Sequence, residues 1–233
     1  MNKLPMLLYT FPRARGTVSL LSSNRAIKLN EPFAVSNVFD FKSPPHNIAI
    51  MPSRTEADIA ATLDWDVMIS EMNSPDSCTK IHGSNLDAFR PGKKWYNSVM
   101  ELGSHAIFVI ERPDRENQML SVLLANRHGF SKEAQDKSPI YSSMVTNPEL
   151  FFLRQSIRHH LAYYPVYGEV VTYDTLPAPD FDRNIVSSLE NQHSELRHKC
   201  LLNLEYCKEV IADQLAYYKE EWDDKIRNIR PNK

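Results

Sequence analysis

The sequence predicts an α+β fold, strand-rich over residues 1–145 and helical over residues 146–233. Three observations support this. Short β-type segments between proline-containing turns fill the first half, and fourteen of the fifteen prolines lie before residue 180. A helix start signal stands at Asn147-Pro148-Glu149, with a capping residue, proline in the first turn and an acid beside it. From Asp182 to Arg230 the chain has neither Gly nor Pro, and its apolar residues fall on one stripe.

In chain order, Thr17–Leu21, Ala26–Leu29, Phe33–Phe41 and Asn47–Met51 have strand composition bounded by turn residues. Ser53-Arg-Thr-Glu56 matches a capping box, which predicts a helix from Arg54 to about Leu63. Trp65–Ser70 alternates as a strand does, with Asp64 and Asp66 on the opposite face from Trp65, Val67 and Ile69. Residues 72–92 read as loop. Lys93–Leu102 reads as a short helix closed by Gly103. His105–Glu111 and Gln118–Asn126 read as strands, with the turn-rich Arg112–Asn117 suggesting a hairpin. The helix from Asn147 should end near Tyr164, before Pro165. Val166–Tyr173 fits a short strand, and Thr175–Pro179 fits a linker.

The final stripe runs Ile185, Leu189, His193, Leu196, Cys200, Leu204, Cys207, Ile211, Leu215, Tyr218, Trp222, Ile226, Ile229. Its spacings cycle 4, 4, 3, close to a straight α-helix. One helix over about 182–230 would be roughly 70 Å long. Leu202, Tyr206, Val210 and Tyr217 fall on nearly the opposite side, so this helix needs cover on two faces. The alternative is a break near His198-Lys199 that folds the stretch into a hairpin. A continuous helix is preferred because no turn residue marks that break.

Composition narrows the class. A net charge of −2 gives no global argument for nucleic acid or an anionic membrane. Residues 1–30 nevertheless carry Lys3, Arg13, Arg15, Arg25 and Lys28 with no acid, while residues 31–77 carry eight acids against two bases. No apolar run approaches the ~18–20 residues needed to cross a bilayer. The three cysteines do not form a disulfide framework, and a reducing compartment fits. Cys200 and Cys207 are about 10.5 Å apart along a helix axis, too far for a disulfide or for one metal ion. No Gly-rich phosphate loop, Rossmann fingerprint, G-x-S-x-G, HExxH or CxxC motif is present, so neither a cofactor nor a metal site is predicted.

These features lead to a cytoplasmic, prokaryotic or phage-type protein that is not a catalyst. It acts by self-association or by docking into a larger protein complex through its C-terminal helix. Leu202, Tyr206, Val210 and Tyr217 would form the partner face. Arg13, Arg15, Arg25, Lys28 and Arg158 are the candidate contacts to RNA or DNA.

A second reading comes from Arg154-Gln-Ser-Ile-Arg-His159, which resembles the R-x4-H motif of HEPN ribonucleases. The resemblance implies metal-independent RNA cleavage, with Arg154 and His159 acting on the phosphate and the 2′-hydroxyl. Gln155 departs from the Asn, Asp or His usual in that family, and the first half of the chain is not helical.

Overall fold

The computed structural model describes residues 3–34, 37–38, 49–50, 65–88, 90–128, 146–182 and 204–232. Five parallel strands form the main sheet: β1 (Met6–Thr10), β2 (Ile27–Asn30), β5 (Ser77–Ile81), β6 (Ala106–Glu111) and β7 (Glu169–Thr172), in the order β2-β5-β1-β6-β7. Two short strands, β3 (Asn37–Val38) and β4 (Ala49–Ile50), pair separately and antiparallel. The helices are α1 (Gly16–Ser22), α2 (Trp65–Met72), α3 (Gly83–Ala88), α4 (Arg90–Leu102), α5 (Arg115–His128), α6 (Asn147–Ala162) and α7 (Leu204–Asn228). The α+β class therefore holds, with a parallel sheet built largely from the first half and a long helix at the C-terminus.

β1 is the central strand. All five of its residues are buried, because β5 and β6 flank it and helices cover both faces. Side chains alternate across the sheet. Leu7 and Tyr9 join Met68, Met72, Trp95, Tyr96 and Val99 on one face. Met6 and Leu8 join Ala14, Leu20, Phe108 and Phe181 on the other. A third cluster surrounds Phe11, just beyond the carboxyl end of β1, where α5, α6 and α7 pack together.

Four sequence expectations are corrected. Thr17–Leu21 is helix α1, not strand. Leu20 is buried against Met6, Leu8 and Phe181 with Val18 beside it, and this tertiary packing outweighs the β-branched content. Trp65–Ser70 lies in helix α2: Met68 and Met72, four apart, are buried while Val67 is 44% exposed, so the burial follows a helical and not a strand period. Asp66 is thus exposed on a helix, and Asp64 lies outside the described residues. Residues 72–92 contain β5 and α3. Gln118–Asn126 is part of α5, so β6 enters no hairpin and pairs in parallel with β1 and β7. Every α5 residue from Gln118 to Leu123 is buried, and a helix covered on more than one side loses the periodicity that would identify it.

Other expectations match. His105–Glu111 contains β6, and α4 ends at Gly103, whose φ of 61° is the left-handed turn glycine allows. α6 begins one residue earlier than read, with Thr146 and Glu149 forming a reciprocal capping box. α7 occupies residues 204–228 of the predicted long helix. The expected helix at Arg54–Leu63 and the first part of the long helix lie outside the described residues. Among the described residues, no helix is long and apolar enough to cross a membrane.

Candidate functional site at the carboxyl edge of the sheet

All five parallel strands end at the same edge, so Thr10, Asn30, Ile81, Glu111 and Thr172 and the loops after them share one end of the molecule. β1 leads the chain toward β2 on one side and β6 leads it toward β7 on the other. In open parallel sheets, ligands bind in the crevice where such connections diverge.

Lys80, near the end of β5, lies on the side of this edge between β1 and β2. Its side chain is only 5% exposed. Its ammonium donates to Thr17 Oγ1 at 3.0 Å, Asn30 Oδ1 at 2.9 Å and Glu31 Oε1 at 2.6 Å. The partners come from α1, β2 and the turn after β2, so the cation links three elements through one atom. His82 follows β5. Its Nε2 lies 3.1 Å from the same Glu31 oxygen, and its Nδ1 lies 2.7 Å from the Thr10 carbonyl and 3.0 Å from Thr10 Oγ1. Burial works against a charge on Glu31, but His82 and Lys80 more than offset it and hold the carboxyl well below the usual carboxylate range.

The backbone around this cluster is unusual. Among the described residues, the non-glycine positions with left-handed φ are Arg13, Arg15 and Glu31, at 65°, 61° and 54°. All three sit in the loops that follow β1 and β2. Side chains in this region cost of order 1–3 kcal/mol each, and such strain gathers at functional sites. Gly16 is required where the β1–α1 loop closes over the cluster. A Cβ there would lie 2.8 Å from the Thr10 side chain and 3.0 Å from Lys80 Cε.

A second buried polar group lies at the end of β6. Glu111 accepts from Tyr164 Oη at 3.1 Å and from Trp222 Nε1 at 3.2 Å, and its Oε1 stands 3.5 Å from His160 Nε2, which makes no hydrogen bond. The His160 ring stacks on Tyr9 and meets Phe11, Tyr164 and Trp222 edge-on or tilted. Burial pushes its imidazole down, against the pull of Glu111. These rings pack on each other, so Glu111 and His160 tie β6 to α6 and α7.

The residues singled out in the sequence are placed separately. Arg13 and Arg15 stand in the β1–α1 loop at this edge, and the Arg15 guanidinium lies 4.8 Å from the centre of the Tyr173 ring. Arg25 is buried and donates to the Pro75 carbonyl at 2.9 Å, with Asp180 at 3.7 Å. Lys28 donates to the Leu21 carbonyl at 2.6 Å. On α6, Arg154 donates to Gln214 of α7 at 2.5 Å, while His159 Nε2 faces Asp87 of α3 at 3.2 Å, so the two reach toward different neighbours. Arg158 is exposed on the same helix. On α7, Tyr206 and Val210 pack at the margin of the Phe11 cluster, Tyr217 is 81% exposed, and Leu202 lies outside the described residues. Cys207 of the apolar stripe is buried in that cluster; Cys200 and His193 are not among the described residues.

Sequence reasoning missed Thr10, Glu31, Lys80 and His82. The available signal was Ser77–Ile81, a short β-capable run between Pro75-Asp76 and Gly83-Ser84. Among the described residues, no group of three or more metal-ligating side chains is assembled. No protein-family model, no curated protein and no solved structure matches this chain.

Proposed function

We propose that this protein binds an anionic small molecule, one carrying a tetrahedral oxyanion such as phosphate or sulfate, at the carboxyl edge of its sheet. The observation that carries this reading is Lys80. It is a nearly fully buried ammonium held by three elements, beneath loops whose Arg13, Arg15 and Glu31 adopt a backbone that stability alone would assign to glycine. A buried ion pair is weak support for a purely structural role, since replacing it with apolar residues is often neutral or stabilising. Strain and a buried cation together, at the edge where parallel sheets bind ligands, favour function.

In this reading Lys80 neutralises charge on the ligand in a site of low dielectric, where a cation acts most strongly on developing negative charge. Both ring nitrogens of His82 are engaged, Nε2 with Glu31 and Nδ1 with the Thr10 carbonyl, so His82 fixes the Glu31 carboxylate beside Lys80. Glu31 bonds both Lys80 and His82, so an anion at Lys80 competes with this carboxylate.

The test is thermal unfolding and calorimetric titration with inorganic phosphate, inorganic sulfate, nucleoside phosphates and nucleoside phosphosulfates. A member of this panel should raise the melting temperature of the wild type. Lys80→Met should abolish that rise, while Lys94→Met, at an exposed position on α4, should not. A melting temperature unmoved by the whole panel, or a rise that survives Lys80→Met, overturns the reading.

A further inference from the structure

The outer surface of α7 is independent of the Lys80 site and carries a second inference. An open groove of about 590 Å³ lies between α7 and the segment after α6, lined by Pro165, Val166, Tyr217, Glu220, Glu221 and Asp224 among others. Tyr217 and Val166 are 81% and 54% exposed. Tyr217, Glu220, Glu221 and Asp224 fall at i, i+3, i+4 and i+7, one continuous stripe on the helix. Its inner neighbours Tyr218 and Trp222 are buried in the chain's own core, so the stripe is not a misplaced core face.

Lys225 also lines the groove and Asp224 is ion-paired with Arg227, so the charge left for a partner is that of Glu220 and Glu221 beside the Tyr217 ring, which calls for a partner surface that is apolar and basic. Packing two such grooves directly on each other would oppose like charges. The chain itself presents the complement on the adjacent helix. On α6, Phe151, Arg154 and Arg158 fall at i, i+3 and i+7; Phe151 is 63% exposed and both arginines are exposed. The two stripes share the same spacing, aromatic first and charge one and two turns later. α6 and α7 belong to one packed layer, joined through the Phe11 cluster and the Arg154–Gln214 bond.

We propose that the protein forms a two-fold dimer in which the Phe151/Arg154/Arg158 stripe of each copy seats against the Tyr217/Glu220/Glu221 stripe of the other. Both stripes lie on one layer of one molecule, so a two-fold axis makes the contact twice and closes the assembly.

Sedimentation or light scattering of the full chain at about 100 µM, where an interface of modest area is populated, tests this. The wild type should have twice the 26.9 kDa chain mass and should dissociate at high salt. Glu220→Arg with Glu221→Arg should give a monomer, as should Arg154→Glu with Arg158→Glu. Mixing the two double variants should restore a dimer, since each contact is then complementary again. Recovery on mixing also shows that both variants fold. A monomeric wild type, a dimer indifferent to the charge reversals, or failure of the mixed variants to pair overturns the proposal.

Discussion

Lys80 Nζ and Glu31 Oε1 lie 2.6 Å apart at the carboxyl edge of the sheet, with the lysine side chain 5% and the glutamate side chain 23% exposed. Removing one partner of such a pair leaves the other charge buried without compensation. Glu31→Gln should therefore lower stability by about 2 kcal/mol, less than a fully buried pair would show because Glu31 retains solvent contact. A Glu31 carboxyl held below its unfolded value near 4.5 contributes stability that is complete above that pH. The contribution is lost as pH falls below 4.5. Melting temperatures recorded from pH 3 to 7 should show the wild type converging on Glu31→Gln at the acid end. Parallel curves would contradict the pairing.

His105 makes a separate prediction in a higher window. Burial pushes its imidazole down to about 4, opposed by the bond to the Met72 carbonyl at 3.1 Å. The unfolded chain takes up this proton near pH 6.5, and the folded state resists it until about 4, so stability falls as pH drops through that interval. The full effect is roughly 3 kcal/mol. His105→Leu should flatten the slope of stability between pH 6.5 and 4 without abolishing it, because burial also lowers His160. A slope unchanged by the substitution would assign the effect elsewhere.

Gly83 and Gly16 should respond differently to alanine. A Cβ at Gly83 would stand 2.3 Å from the His159 carbonyl oxygen, a backbone atom of α6 that has little room to yield. Gly83→Ala should cost about 3 kcal/mol. At Gly16 the obstacles are the short, buried Thr10 side chain and the more flexible Lys80 stem, so Gly16→Ala should cost about 2 kcal/mol while displacing Lys80 and weakening anion binding. Denaturant midpoints compare the two, and equal costs would show that the α3–α6 contact is softer than its geometry.

Trp222 tests the Glu111 network. Trp222→Ala removes a fully buried indole from the Phe11 cluster and should cost about 3–5 kcal/mol. Trp222→Phe keeps most of the packing but withdraws the Nε1 donor from Glu111, and should cost about 1–3 kcal/mol. A phenylalanine variant as stable as the wild type would mean that Tyr164 alone satisfies the carboxylate.

Elements whose signals are local are legible along the chain. The helical period of the final stripe marks α7, the Asn147-Pro148-Glu149 start marks α6, Gly103 closes α4, and the apolar His105–Glu111 run marks β6. Segments whose burial obscures their period take their form from long-range packing and pairing. α5 is covered on more than one side and reads as a strand, β1 is a short apolar stretch until β5 and β6 flank it, and Ser77–Ile81 becomes β5 only because β1 and β2 pair with it. The candidate site belongs to the second kind. Thr10, Glu31, Lys80 and His82 lie far apart in the chain and form no spacing pattern. They meet because parallel pairing brings the carboxyl ends of β1, β2 and β5 to one edge, and long-range hydrogen bonding of that kind leaves no local trace in the sequence.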